Sequence, residues 1–146
     1  MAVKSRLPRV VLDTNVVVAA IRSHNPHSPT VELLRLWAQR EFILLYSDDV
    51  YAEYVAKLSE LTTTSSMREM FLAAVIRRAD HIIVRDKQVL AVTADHDDDA
   101  VLACAVVGKA THLITYDPHL TAIGPLYRKV NIISALEFLK QLRLGD

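Results

Sequence analysis

Four acidic residues, Asp13, Glu53, Asp99 and Asp117, stand where carboxylates are costly unless they act together. Asp13 closes the apolar run Val10-Val11-Leu12 and is followed by Thr14 and Asn15 before the chain turns apolar again at Val16. Such a run reads as a buried strand that ends in a polar edge and leads into a helix, and that edge is where a parallel α/β sheet keeps its chemistry. Glu53 falls early in the helix expected after the second strand, Asp99 at the start of the helix that enters the fourth, and Asp117 just beyond the fourth. Parallel strands bring their carboxyl ends to one edge, so all four acids can converge despite intervals of 40, 46 and 18 residues. Carboxylates held together in a partly desolvated cleft repel and raise one another's pKa, which a divalent cation offsets. Oxygen ligands favour magnesium or manganese over zinc or copper. Such an ion binds phosphate oxygens, lowers the pKa of an attacking water and offsets charge on the leaving oxygen, a combination suited to phosphodiester hydrolysis. Asp13 and Asp99 are the candidate direct ligands, Asp117 a direct or water-mediated one, and Glu53 a ligand or the group that orients the water. Asn15 and Thr115 could hold the carboxylates or a substrate phosphate, and Asp98 competes with Asp99 because both sit at a helix start, where the macrodipole favours an anion.

The elements that must position these residues follow from hydrophobic pattern and punctuation. Asn15 to Ile21 reads as a short helix, and Asn25-Pro26 marks a loop. Ser28-Pro29 signals a helix start, with the serine hydroxyl as cap, for an apolar stripe reaching Arg40. Phe42 to Tyr46 is a continuous apolar run of strand length, expected to be buried on both faces. Ser47 or Asp48 caps the helix that carries Glu53, and Ser66 with Glu69 predicts a capping box for a helix through Ala79. Ile82 to Val84 is a short strand candidate, while Arg85 to Thr93 carries no clear pattern. Asp95 to Asp99 precedes an apolar helix over Ala100 to Val107 ended by Gly108, then a strand over Thr111 to Thr115 stopped by Tyr116-Asp117-Pro118. Val130 to Ile133 is the last strand, and Ser134 with Glu137 makes a second capping box for a terminal helix to Leu142. This alternation predicts a three-layer α/β/α fold with a mainly parallel sheet, in one domain spanning residues 1–146.

Composition narrows the partners. The chain has 146 residues, 51% of them hydrophobic and 23% charged, enough for a two-sided core and unlike a disordered tail. Seventeen basic and seventeen acidic residues give a net charge of zero, so a nucleic acid must be held by a local patch rather than a global field. Arg85, Lys87 and Lys109 are candidates for a cationic rim that holds a flanking nucleic-acid backbone. The lone Cys104 excludes an internal disulfide and multi-cysteine zinc patterns, and its apolar setting reads as a buried small hydrophobe. No apolar stretch is long enough for a membrane span and no leader pattern is seen, so a cytoplasmic protein without a membrane partner is expected.

The segments Val11-Leu12-Asp13-Thr14-Asn15-Val16, Ser47-Asp48-Asp49-Val50-Tyr51-Ala52-Glu53, Asp98-Asp99-Ala100-Val101-Leu102-Ala103-Cys104-Ala105, Gly108-Lys109-Ala110-Thr111-His112-Leu113-Ile114-Thr115-Tyr116-Asp117 and Ile133-Ser134-Ala135-Leu136-Glu137-Phe138-Leu139 together resemble the PIN-domain family, in particular the toxin components of prokaryotic toxin–antitoxin modules. The resemblance runs from about Arg9 to Leu142. It implies a metal-dependent ribonuclease whose acidic quartet falls on Asp13, Glu53, Asp99 and Asp117. It also implies a sheet of about five strands with the first one central, a homodimer or higher homo-oligomer, and a cognate antitoxin that covers the groove. Two residues depart from this branch: His96 stands where proline is common, and Tyr116 where glycine is common before the aspartate. Tyr116 could narrow the groove or stack on a base.

Each acid also has an ordinary explanation. Asp48 and Asp97 can be helix caps, and Asp117 before proline is a common turn pair. Asp95, Asp97 and Asp99 imitate a calcium loop, but Ala100 and Val106 stand where glycine and glutamate are required. His24, His27 and His119 read as surface residues, and no glycine-rich phosphate loop is present. The alternative to a nuclease is a non-catalytic interaction module that uses the same fold and retains a vestigial metal site. A phosphotransfer receiver or phosphatase fits less well, because Asp13-Thr14-Asn15 lacks a second aspartate and no lysine is suitably placed after the fourth strand.

Overall fold

The computed structural model describes residues 6–62, 65–85 and 96–144. Six strands form one sheet in the order β3-β2-β1-β4-β6-β5, flanked by helices in three layers. The strands are β1 (Arg9–Leu12), β2 (Ile43–Tyr46), β3 (Asp80–His81), β4 (His112–Ile114), β5 (Leu126–Tyr127) and β6 (Val130–Ile133). The helices are α1 (Thr14–Arg22), α2 (Pro29–Ala38), α3 (Asp48–Ser59), α4 (Ser65–Arg78), α5 (His96–Val107), α6 (Pro118–Thr121) and α7 (Ala135–Leu144).

The apolar runs became central strands for the reason their lack of alternation suggests. Val10, Val11, Leu12, Leu44, Leu45, Leu113 and Ile114 are all fully buried, because helices cover both faces of the parallel region. β1 pairs in parallel with β2 on one side and β4 on the other, with Leu12 opposite Ile114. Successive strands run outward from β1 through β2 to β3, and the chain then returns to place β4 on β1's other flank. The order therefore reverses between β1 and β4, and such a reversal opens a crevice beyond the carboxyl ends of the two strands. Below that crevice α5 lies on β1, β2 and β4. Tyr54 of α3, itself fully buried, donates its hydroxyl to the Leu12 carbonyl at 2.5 Å and ties the helix to the end of β1.

Several local signals worked as expected. The Ser47 hydroxyl accepts from the Val50 amide at 3.2 Å and caps α3. Ser134 and Glu137 form a reciprocal capping box, with the Glu137 amide on the Ser134 hydroxyl at 3.2 Å and the Ser134 amide on the Glu137 carboxylate at 3.3 Å.

Others did not. The Ser28 hydroxyl makes no cap bond and instead meets the Ser23 hydroxyl at 3.2 Å. Ser66 is inside α4 rather than at its cap. The third strand is Asp80–His81, not Ile82 to Val84, because an edge strand needs only backbone pairing; Asp80 and His81 pair with Leu45 and Tyr46, and His81 stacks on Tyr46. Gly108 does not take the left-handed conformation that ends α5; Lys109 does, at φ 54°. Gly108 is glycine for a steric reason, since a Cβ there would lie 2.8 Å from the Cys104 carbonyl oxygen and 2.9 Å from Ile82. The sheet has six strands rather than about five. The extra one, β5, is antiparallel to β6 across a turn in which Arg128 and Lys129 both have positive φ, so the usual asparagine or glycine signal is missing.

Candidate active site

β1 delivers Asp13 to the crevice, and the residue's own backbone continues the sheet by donating to the Ile114 carbonyl at 2.9 Å. Asp13 is buried, so its carboxylate must be satisfied from within. One oxygen accepts from the Thr14 amide at 2.8 Å, which caps α1. The other accepts from the Thr115 hydroxyl at 2.7 Å. Thr115 is buried too, and its oxygen in turn accepts from the Asp117 amide at 2.9 Å. A single hydroxyl thus spans from β1 to the loop after β4 and fixes two acids relative to each other.

Asp117 then caps the one-turn helix α6 by accepting from the His119 amide at 2.9 Å. The cap bends the chain so that the His119 ring comes within 3.4 Å of the same carboxylate oxygen. From below, α5 contributes its first turn. Asp98 and Asp99 are both buried there, at neighbouring helical positions about 100° apart around the axis. The cavity, of about 210 Å³, is lined by Asp13, Thr14, Asn15, Glu53, Lys57, Asp98, Val101 and Asp117. Val101, one turn after Asp98, shares its face; Asp99 does not line the cavity.

The structure therefore brings together Asp13, Asn15, Glu53, Asp98 and Asp117, with Thr115 bonded to Asp13 from behind. The third acid in the cavity is Asp98, one residue before the Asp99 expected from the sequence. Tyr116 lies between the two site residues Thr115 and Asp117, half-exposed, with its hydroxyl pKa raised by partial burial. Arg85 is exposed in the segment that leaves β3, and Lys87 lies outside the described residues. Lys109 precedes β4 and belongs to the opposite edge of the sheet.

Three contributors were not singled out from sequence. Lys57 stands one turn beyond Glu53 on α3, and that four-residue spacing was its signal. Thr14 lies in the cavity wall with its hydroxyl oxygen buried and without a hydrogen-bond partner among the described residues. His119, read from sequence as a surface residue, groups with Asp98 and Asp117 so that one potential ligand atom from each lies within 4.8 Å of the others.

The donor set fits a divalent cation. Four carboxylates face one ammonium across a small space, and their atoms are oxygen apart from one imidazole. The Thr14 hydroxyl, buried and without a hydrogen-bond partner among the described residues, is a polar atom still unsatisfied in the wall of this cavity. Deeper in, the groups are inert. Burial pushes the Cys104 thiol up to about 12, and burial, then Cys104 and Asp13, raise the Tyr54 hydroxyl well above its ordinary value. Neither is poised to act as a nucleophile near neutral pH.

The profile of the PIN domain matches residues 9–119. No curated protein sequence matches the chain. Three solved structures are similar in fold. VapBC2 from Rickettsia felis, solved bound to a DNA fragment from its promoter, aligns with TM-score 0.59 and 18% identity over 85% of this chain and 96% of the other. VapC20 from Mycobacterium tuberculosis, described as a Sarcin-Ricin loop cleaving toxin, aligns with TM-score 0.57 and 16% identity over 84% and 98%. FitAcB from Neisseria gonorrhoeae aligns with TM-score 0.54 and 16% identity over 87% and 98%.

Proposed function

This chain belongs to the PIN-domain family, and from that premise we propose that it is a divalent-metal-dependent endoribonuclease, the toxin of a toxin–antitoxin module, acting as one nuclease domain. The observation that carries the reading is the convergence of Asp13, Glu53, Asp98 and Asp117 on one cavity at the point where the strand order reverses. Asp13, Asp98 and Asp117 would hold magnesium or manganese. When bound, the ion supplies charge neutralisation at the phosphate and a more acidic water. Glu53 would orient an attacking water and accept its proton. Asp99, buried beside Asp98 in the same helical turn, supports the site.

Asn15 and Thr115 keep the carboxylates in register, the latter through its bond to Asp13. Lys57, the one cation in the cavity wall among the described residues, holds a phosphate oxygen of the substrate. Tyr116 offers an exposed ring beside the cavity on which an unpaired base can stack. Arg85 belongs to the rim that follows the RNA backbone. Support for an RNA substrate and an antitoxin partner comes from the family and from the similarity in fold to VapC20 and VapBC2. Among the described residues no helix is long and apolar enough to cross a membrane. A cytoplasmic location belongs to the same proposal, and a homodimer is the expected assembly.

Purified protein should cleave a panel of structured and unstructured RNAs when manganese or magnesium is added and stop when the metal is chelated. Inactivity across the panel with both ions would sink this reading and leave a partner-binding module on the same fold.

A further inference from the structure

Beyond the carboxylates, the loop after β4 carries a nitrogen to the same place. We propose that His119 is a ligand of the cation held by Asp98 and Asp117, and that the site thereby takes a first-row transition ion such as manganese in preference to magnesium; the inference rests on the metal-dependent reading above.

The geometry is set locally. Asp117 is the N-cap of α6, Pro118 fixes the first helical position, and the His119 amide donates to the Asp117 carboxylate at 2.9 Å. That bond sets the ring nitrogen Nδ1 3.4 Å from the same carboxylate oxygen. Adjacent ligands of an octahedral ion with bonds of about 2.1 Å lie about 3 Å apart and opposite ones about 4.2 Å. His119 Nδ1 and the Asp117 oxygen, 3.4 Å apart, fall in that range, and the Asp98 atom lies within 4.8 Å of both, a separation that side-chain rotation can close.

A plain surface ion pair explains the placement less well. The His119 side chain is 80% exposed, and a pair so solvated contributes little to stability. An independent sign of a ligand comes from Thr14. Its residue is only 4% exposed, its hydroxyl has no hydrogen-bond partner among the described residues, and it lines the same cavity as Asp98 and Asp117. Magnesium demands oxygen donors and keeps its waters, whereas imidazole is a good donor to transition ions. One nitrogen among the oxygens therefore biases the site against magnesium.

The test is metal binding rather than cleavage. Manganese and magnesium affinities are measured for the wild type and His119→Gln, and pulsed electron paramagnetic resonance of bound manganese is inspected for imidazole nitrogen modulation. Glutamine keeps the backbone amide that bonds Asp117, and circular dichroism checks the fold. We expect nitrogen modulation in the wild type only, and manganese binding at least about tenfold weaker in the variant while magnesium binding changes less than about threefold. Manganese bound with equal affinity by both proteins and without nitrogen modulation would overturn the role of His119 while leaving the metal site standing. If folded wild type binds neither ion, the inference and the metal-dependent nuclease fall together.

Discussion

The two edges of the sheet gather acids at one end and arginines at the other, and each handles its charge in a different way. At the carboxyl edge, helix N-termini and strand ends gather Asp13, Glu53, Asp98 and Asp117 around a cavity of about 210 Å³. At the amino edge, Arg40 after α2 and Arg77 and Arg78 at the end of α4 surround a cavity of about 380 Å³ with Trp37 at its wall. Helix dipoles favour both placements, anions near N-termini and cations near C-termini, so alternating strands and helices segregate charge even in a chain of net charge zero. Solvation separates the two edges. The arginines are exposed, Arg78 lies over the Trp37 ring, and Arg9 donates to the Gly108 carbonyl at 2.9 Å and pairs with Asp80 at 3.4 Å. Asp13 and Asp98, by contrast, are each 5% exposed. Exposed cations are compensated by water and by the protein itself, whereas buried like charges call for a counter-ion from outside.

The contrast is broken most severely at Asp13. Asp13→Asn keeps the shape and removes the charge, and RNA cleavage at saturating manganese should fall by about 100-fold or more, since a metal ion contributes several kcal/mol. A variant that retained wild-type rates would show that the acids at this edge are structural. At the amino edge the effect should be on folding alone. Gly108→Ala forces a Cβ to within 2.8 Å of the Cys104 carbonyl oxygen and should cost about 1–3 kcal/mol in urea denaturation, with unchanged activity per folded molecule.

Tyr54→Phe probes the seam between core and site. It leaves the Leu12 carbonyl without the hydroxyl it accepts from, and the loss should be about 1–2 kcal/mol. Asp117→Asn sharpens the comparison further, because asparagine caps α6 as well as aspartate does. Thermal stability without metal should change by less than about 0.5 kcal/mol, while the rise in melting temperature that manganese gives the wild type should vanish.

The smallest effect lies in alkaline solution. The Cys104 thiol ionises near 9.0 when unfolded and at about 12 when folded, so the folded state binds more protons across that interval. Its contribution to stability is full below pH 9 and declines as pH rises towards 12. Cys104→Ala should flatten that part of the stability profile and leave the later decline due to Tyr54. An unchanged profile would mean the thiol is not the group that resists ionisation.

The residues that were legible were those whose neighbours in sequence are also their neighbours in space. Asp13 announced itself because the apolar run before it could only be a buried strand, and the Ser134 and Glu137 box needs only a spacing of three residues. Gly108 was recognised as a boundary for the wrong reason, because the close approach of Ile82 comes from a segment more than twenty residues away. Lys109 was drawn into the candidate site by composition, and the parallel sheet puts it at the other edge. Asp98 and Asp99 could not be separated along the chain, since which side of α5 meets the cavity depends on how that helix lies on β1, β2 and β4.

By itself the sequence determined that buried strands would alternate with helices and that acids would stand at the strand ends, because periodicity, capping and the sharp cost of a buried charge act over a few residues; the PIN-domain family was carried by the resemblance of its motifs. Only the tertiary structure decided that Asp98 faces the cavity, that Thr115 locks Asp13 to Asp117, and that Lys57, Thr14 and His119 join them. Those outcomes depend on the rotation of helices against the sheet and on a one-turn cap after β4, which are set by packing between segments far apart in the chain.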